Sequence, residues 1–358
     1  MTSKNSLTLL VLALVSTGIV VILFLLSEKE IHRNNAFVRR YPHHPVNKVY
    51  DLPITYNSYY ISGRHHHKLY LGNSTAPLHL LEVNLKTKDT QHISITLEPK
   101  HLRFHNLQVQ LQYPYFFVSD GTTPCIFRGL MEDWKAKLWT EDLAYFDKSI
   151  PLDSNTMVIS TIDSKSQTTT LGRIFQKNTG EMRVTLRDSI LEKQIDGVFD
   201  VDGIMTATPN GKTLSYVYFY RNQFIIMDSQ LAIVHRQRTI DTVQNAQLDV
   251  AILGNNSKQI AAPTLTVNKM AAINQDLIFI NSTRIGKYEE AHMLKEAAII
   301  DVYNWKKATY EFSFYIYNIN RDRLKNFTVI DNYVVGLIGN TLSVYEMDQN
   351  QFKRASLE

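Results

Sequence analysis

The chain has 358 residues, with 38 Lys and Arg against 34 Asp and Glu, a formal net charge of +4 and 44% hydrophobic residues. That near-balance, without a long basic run, argues against nucleic acid as a partner, and the length suits one large repetitive domain or two ordinary ones. Cys125 is the single cysteine, so no disulfide forms within one chain and stability has to come from a large apolar core.

The first predicted element spans residues 6 to 26, 21 positions without a charge. At roughly 1.5 Å per residue a helix of this length is about 30 Å long, which matches the hydrocarbon core of a bilayer. Thr8, Leu10, Val15, Val20, Ile22 and Phe24 stand as membrane-anchor positions within it. A cleaved signal is the alternative, because Lys4 and the α-amino group form a short positive flank. The apolar run, however, exceeds the usual h-region of about 7 to 15 residues and passes into Leu26-Ser27-Glu28-Lys29-Glu30 without a small-x-small site. No cysteine follows it, which excludes a lipid attached there. Lys29, Arg33, Arg39 and Arg40 beyond the run, against Lys4 before it, favour the opposite topology on a Lys/Arg count. A large β-domain after an amino-terminal apolar segment nevertheless matches the usual layout of an exported, signal-anchored domain. The expectation is a single-pass anchor over residues 1–30 in the inner (cytoplasmic) membrane, with the soluble part extracytoplasmic, in the periplasm. Residues 31–44 then read as a linker or a ring-closing strand.

Beyond residue 30 helical periodicity is confined to Leu130–Lys137 in part, Ser189–Ile195 and Tyr288–Ala298. Elsewhere β-branched and aromatic runs of four to eight residues alternate with Gly, Asn, Asp and Pro, the pattern of strands and turns. The runs come in pairs: Lys68–Asn73 with Leu78–Leu85, Tyr115–Asp120 with Cys125–Leu130, Met157–Ile162 with Thr168–Gln176, Leu214–Tyr220 with Gln223–Asp228, Leu277–Asn281 with Ala298–Asn304, and Tyr333–Ile338 with Thr341–Glu346. Six units at a spacing of 40 to 50 residues, lengthened by insertions around Val243–Pro263 and Ile285–Lys295, predict an all-β, six-bladed β-propeller over residues 45–350 with a tail at 351–358. Five to seven blades remain compatible with the same pattern.

Thr208-Pro209-Asn210-Gly211-Lys212-Thr213-Leu214 places a hairpin turn at Asn210-Gly211, both of which tolerate positive φ, before an apolar strand. Tyr115-Phe116-Phe117-Val118-Ser119-Asp120-Gly121 followed by Cys125-Ile126-Phe127-Arg128 has the same grammar. The first run resembles the blade motif of TolB-type propellers and the second the blades of the NHL group. In layout residues 45 to 347 are similar to the uncharacterised six-bladed propeller proteins of Bacteroidetes, many of which carry an amino-terminal membrane or lipid anchor. The resemblance implies a fold and no catalytic residue. Little apolar sequence follows Tyr345, so the last blade needs a strand from the amino terminus, for which Ala36–Val38 and Val49–Leu52 are the candidates.

Ten of the twelve histidines precede residue 106, and His65, His66 and His67 form the densest group. Imidazoles ligate zinc, copper or nickel, although adjacent histidines on a strand point to opposite faces and a triple in a loop lacks fixed spacing. Asp196, Asp200 and Asp202 at the start of a predicted blade are the other metal candidates, as calcium ligands, or as glycosidase-type carboxylates. Asn73, Asn255, Asn281 and Asn326 open glycosylation sequons, a number close to chance in a chain this rich in Asn, Ser and Thr. No nucleophile elbow, zinc-protease motif, P-loop or dinucleotide fingerprint occurs, and Cys125 between apolar neighbours reads as a buried, inert thiol. The aromatic clusters around Tyr216 and Tyr310 read as core.

The sequence therefore points to a membrane-tethered propeller that binds a protein or a small ligand of the cell envelope, with no catalytic residue assigned and no cofactor expected beyond a divalent metal. The alternative is a propeller hydrolase or lyase with a channel-bound ion. A redox partner carrying a quinone-like cofactor is a third reading.

Overall fold

The computed structural model describes residues 3–32, 35–98, 104–252 and 258–356. A helix, α1 (Ser3–His32), precedes β1 (Val46–Pro53). Six sheets then follow one another around a ring. The first blade holds β2 (Tyr59–His65), β3 (Lys68–Asn73), β4 (His79–Asn84) and β5 (Thr90–Ser94). The second holds β6 (Thr96–Glu98), β7 (Gln108–Gln112), β8 (Tyr115–Asp120), β9 (Cys125–Leu130) and β10 (Lys135–Glu141), with β6 added in parallel to the outer edge of β10. The third is β11 (Lys148–Asp153), β12 (Thr156–Ile162), β13 (Thr169–Gln176) and β14 (Met182–Arg187). The fourth is β15 (Gly203–Ala207), β16 (Thr213–Tyr218), β17 (Gln223–Asp228) and β18 (Ile233–Arg238). A small hairpin, β19 (Val250–Ile252) with β20 (Lys258–Ile260), leads to the fifth blade, β21 (Asn268–Asn274), β22 (Leu277–Ser282), a single turn α2 (Met293–Glu296), β23 (Ala297–Asn304) and β24 (Thr309–Tyr317). The sixth is β25 (Leu324–Ile330), β26 (Tyr333–Ile338) and β27 (Thr341–Met347), and α3 (Gln349–Ser356) ends the described chain.

β1 completes the sixth blade by pairing antiparallel with β27, from Val46 opposite Met347 to Pro53 opposite Thr341. Of the two closing segments considered, Val49–Leu52 thus lies in the closing strand. Ala36–Val38 belongs to a strap that runs beside the fifth blade, where the Phe37 carbonyl accepts the Lys287 N–H. The innermost strands β2, β7, β11, β15, β21 and β25 touch in an unbroken cycle and enclose the central channel.

Each of the paired apolar runs is a middle strand of a blade. Middle strands have both faces covered by neighbouring blades, so β8 and β22 are buried along nearly their whole length, while the outer strands β5 and β14 are mostly exposed. The buried apolar side chains fall into six clusters, one at each blade-to-blade interface. α3 caps the layer between the fifth and sixth blades: Phe352 lies 5.1 Å from the Phe312 ring, and Asn304 donates to the Ala355 carbonyl at 2.8 Å. At the Asn210-Gly211 turn Gly211 has φ +66, and a Cβ there would meet the Leu152 carbonyl, so only glycine fits. Leu130–Lys137, a helical candidate, is the β9–β10 hairpin, closed by a Trp134 N–H to Leu130 carbonyl bond with Trp134 at φ +55.

The membrane location is overturned. Among the described residues no helix is long and apolar enough to cross a membrane. Leu10, Val15, Val20, Ile22 and Phe24 are exposed on α1. Two sequons are structurally closed: Asn73 and Asn281 are only 5% and 4% exposed, and Asn281 donates to the Ile299 carbonyl at 3.0 Å. Asn255 lies outside the described residues.

Candidate functional site

The inner strands pack closely, as at Gly63, where a Cβ would approach within 2.6 Å of the Leu111 Cβ on β7. They leave a cavity of about 850 Å³ along the axis, within the range of small-molecule sites. Its wall differs from the blade interfaces in carrying polar side chains among the apolar ones, with Gln110, Gln112, Thr206, Asn274, Asn326 and Thr328 contributed by four different strands.

Some of these side chains tie the blades across the axis. Gln112 of the second blade donates to the Pro209 carbonyl of the fourth at 2.9 Å. Gln110 donates to the Ser149 carbonyl at 2.5 Å and accepts from the Ser149 hydroxyl at 3.0 Å. Arg64 of the first blade donates to the Thr328 hydroxyl of the sixth and, at 3.0 Å, to the Ile273 carbonyl of the fifth. The guanidinium sits deep among protein atoms yet keeps part of its surface open to the cavity. Burial lowers Arg64 to about 10, and Asp331, at the turn after β25, offsets this only in part. Among the described residues no carboxylate lies within ion-pair distance of Arg64. Lys269, which is exposed, and Lys325, whose ammonium donates to the Asn57 and Gly339 carbonyls at 2.6 and 3.2 Å, also line the cavity, against the one carboxylate of Asp331.

His65 follows Arg64 at the channel rim, its ring stacked on Tyr113 at 3.5 Å between centroids. Burial, with His66 and Lys68 nearby, lowers its pKa and favours the neutral ring. His66 occupies the turn at φ +48 and is exposed, and among the described residues no three His, Cys, Asp or Glu side chains converge to hold an ion.

The three aspartates lie away from the cavity. Asp200 is fully buried, and its oxygens accept the N–H groups of Gln194, Ile195, Asp196 and Gly197 at 2.5 to 3.1 Å. Burial raises its pKa, but those donors outweigh it and hold the carboxyl below its ordinary value. Asp196 accepts from Val198, Phe199 and Asp200 in the same loop. Asp202 pairs at 2.5 Å with Lys148. They stitch the connection between the third and fourth blades rather than meeting at one point. Asp120 of the F-V-S-D-G run does the same work, accepting four backbone N–H groups. Cys125 is buried, and burial pushes its thiol up to about 11.

A second arginine, Arg39, clamps the amino-terminal strap. It contacts both oxygens of Asp301 at 2.6 and 3.1 Å and Glu289 at 2.8 Å. Sequence reading counted Arg39 only as a charge flanking the apolar run and passed over Asp301, Arg64 and Asp331, although Arg64 directly precedes the histidine run.

These features define a six-bladed β-propeller with a polar, cation-lined channel. No family model and no curated protein sequence matches the chain. Among solved structures it is similar to a member of the DUF4221 family from Bacteroides vulgatus, with a TM-score of 0.54 at 11% identity, covering 86% of this chain and 99% of that one. It also matches the β-propeller domain of Cps50 (Swd1) from Myceliophteria thermophila, with a TM-score of 0.45 at 8% identity over 85% of this chain and 100% of that one. Likeness at this identity bears on the fold alone, and it agrees with the resemblance to Bacteroidetes propellers.

Proposed function

We propose that the protein is a binding scaffold whose central channel receives a small polar ligand. The observation that carries this reading is the channel itself: a cavity of about 850 Å³ into which hydrogen-bonding side chains converge from separate blades held rigidly by their apolar interfaces. The hydrolase or lyase alternative rests on Asp196, Asp200 and Asp202, which accept from loop N–H groups or pair with Lys148 and do not line the cavity, so no observation favours it. Fold by itself assigns no activity.

A small-molecule fragment screen by ligand-observed NMR on the full chain, repeated with Gln112→Trp, tests the reading. Gln112 lines the cavity and reaches from the second blade to the fourth, and an indole there obstructs it. Fragments should bind the wild-type chain and lose their signal with Gln112→Trp. Hits that persist unchanged on the obstructed channel would overturn the proposal.

A further inference from the structure

Within the channel-binding reading, on which this step rests, we infer that the ligand carries an oxyanion, a carboxylate or a phosphate, and that Arg64 is the group that receives it. The guanidinium spends donors on the Thr328 hydroxyl and the Ile273 carbonyl, both neutral, and those bonds fix its plane across the axis. It meets the cavity without a carboxylate at ion-pair distance, while Lys269 and Lys325 add to the positive potential of the same wall. A buried cation without a counter-charge is costly, and an oxyanion entering the cavity supplies the missing charge and accepts charge-assisted hydrogen bonds in the planar geometry a guanidinium offers. Asn274, Asn326 and Thr206 line the same cavity, which suits a polar body behind the anionic group. Asp331 is the opposing element, a carboxylate at the rim that weakens the field of Arg64.

Isothermal titration calorimetry of the full chain with inorganic phosphate, D-glucuronate and D-glucose tests this. Both anions should bind, glucose at least about tenfold more weakly, and Arg64→Gln should weaken the anions by about tenfold or more. The ranking of phosphate against glucuronate tells which oxyanion the site prefers. Asp331→Asn keeps a residue that tolerates the φ of +48 at that turn and should tighten both anions by about two- to threefold, independently of whether Arg64→Gln folds. Anions bound equally by wild type and Arg64→Gln, no tightening with Asp331→Asn, or no anion binding by the wild type would each overturn the inference. If glucose binds as tightly as the anions and Gln112→Trp abolishes it, the channel reading stands and the anion selectivity falls.

Discussion

Arg39 and Arg64 are both drawn into the protein and both join segments distant in sequence, yet their surroundings are opposite. Arg39 meets Asp301 and Glu289 at 2.6 and 2.8 Å. Burial alone would disfavour its charge, but the two carboxylates outweigh that and hold the guanidinium above its ordinary value. Arg64 meets a hydroxyl and a carbonyl, and burial lowers it to about 10. A cation matched by carboxylates is part of the fold; one left unmatched in a cavity has its charge available for a ligand.

Removing Asp301 from the first site should make it resemble the second, at a much higher cost because the Arg39 side chain is only 1% exposed. Asp301→Ala leaves Arg39 and the Ser313 hydroxyl without their buried acceptor, and urea denaturation should show a loss of about 3–5 kcal/mol. An unchanged midpoint would mean that the strap contributes nothing to the ring.

Asp200 sharpens the comparison from the acidic side, because its charge is matched by backbone N–H groups and not by a cation. Asp200→Asn should cost about 2 kcal/mol at neutral pH, since the new amide sets an N–H against N–H donors. Its pKa is depressed in the folded state, so its contribution is fully present above the unfolded value of about 4 and is lost as pH falls through the lower folded value. The acid limb of a stability–pH profile should accordingly be shallower in Asp200→Asn. An identical limb would contradict this assignment.

The same contrast explains what the sequence reveals. The middle strands are legible because both faces are buried, so Phe116-Phe117-Val118 and Phe224-Ile225-Ile226 appear as continuous apolar runs bounded by turns. Inner strands such as Gln108–Gln112 present polar groups to the channel and leave no such run. Arg39 and Asp301 are 262 positions apart, and Arg64 and Thr328 are 264 apart, so no local pattern marks either pairing. The histidine run drew attention one residue past Arg64, and the aspartates at 196, 200 and 202 stood out by proximity in sequence although backbone donors and Lys148 separate their roles. The apolar stretch of α1 was legible as a helix, and its expected passage through a membrane was not upheld.

Urea unfolding of Arg39→Met and Arg64→Met, side by side, tests the distinction most directly. The account predicts a loss of about 3–5 kcal/mol for Arg39→Met, which leaves the buried Asp301 without its counter-charge, and a change of about 1 kcal/mol or less for Arg64→Met. An equal or larger loss in Arg64→Met would contradict it and make Arg64 a structural tie between blades instead of a receptor for a ligand.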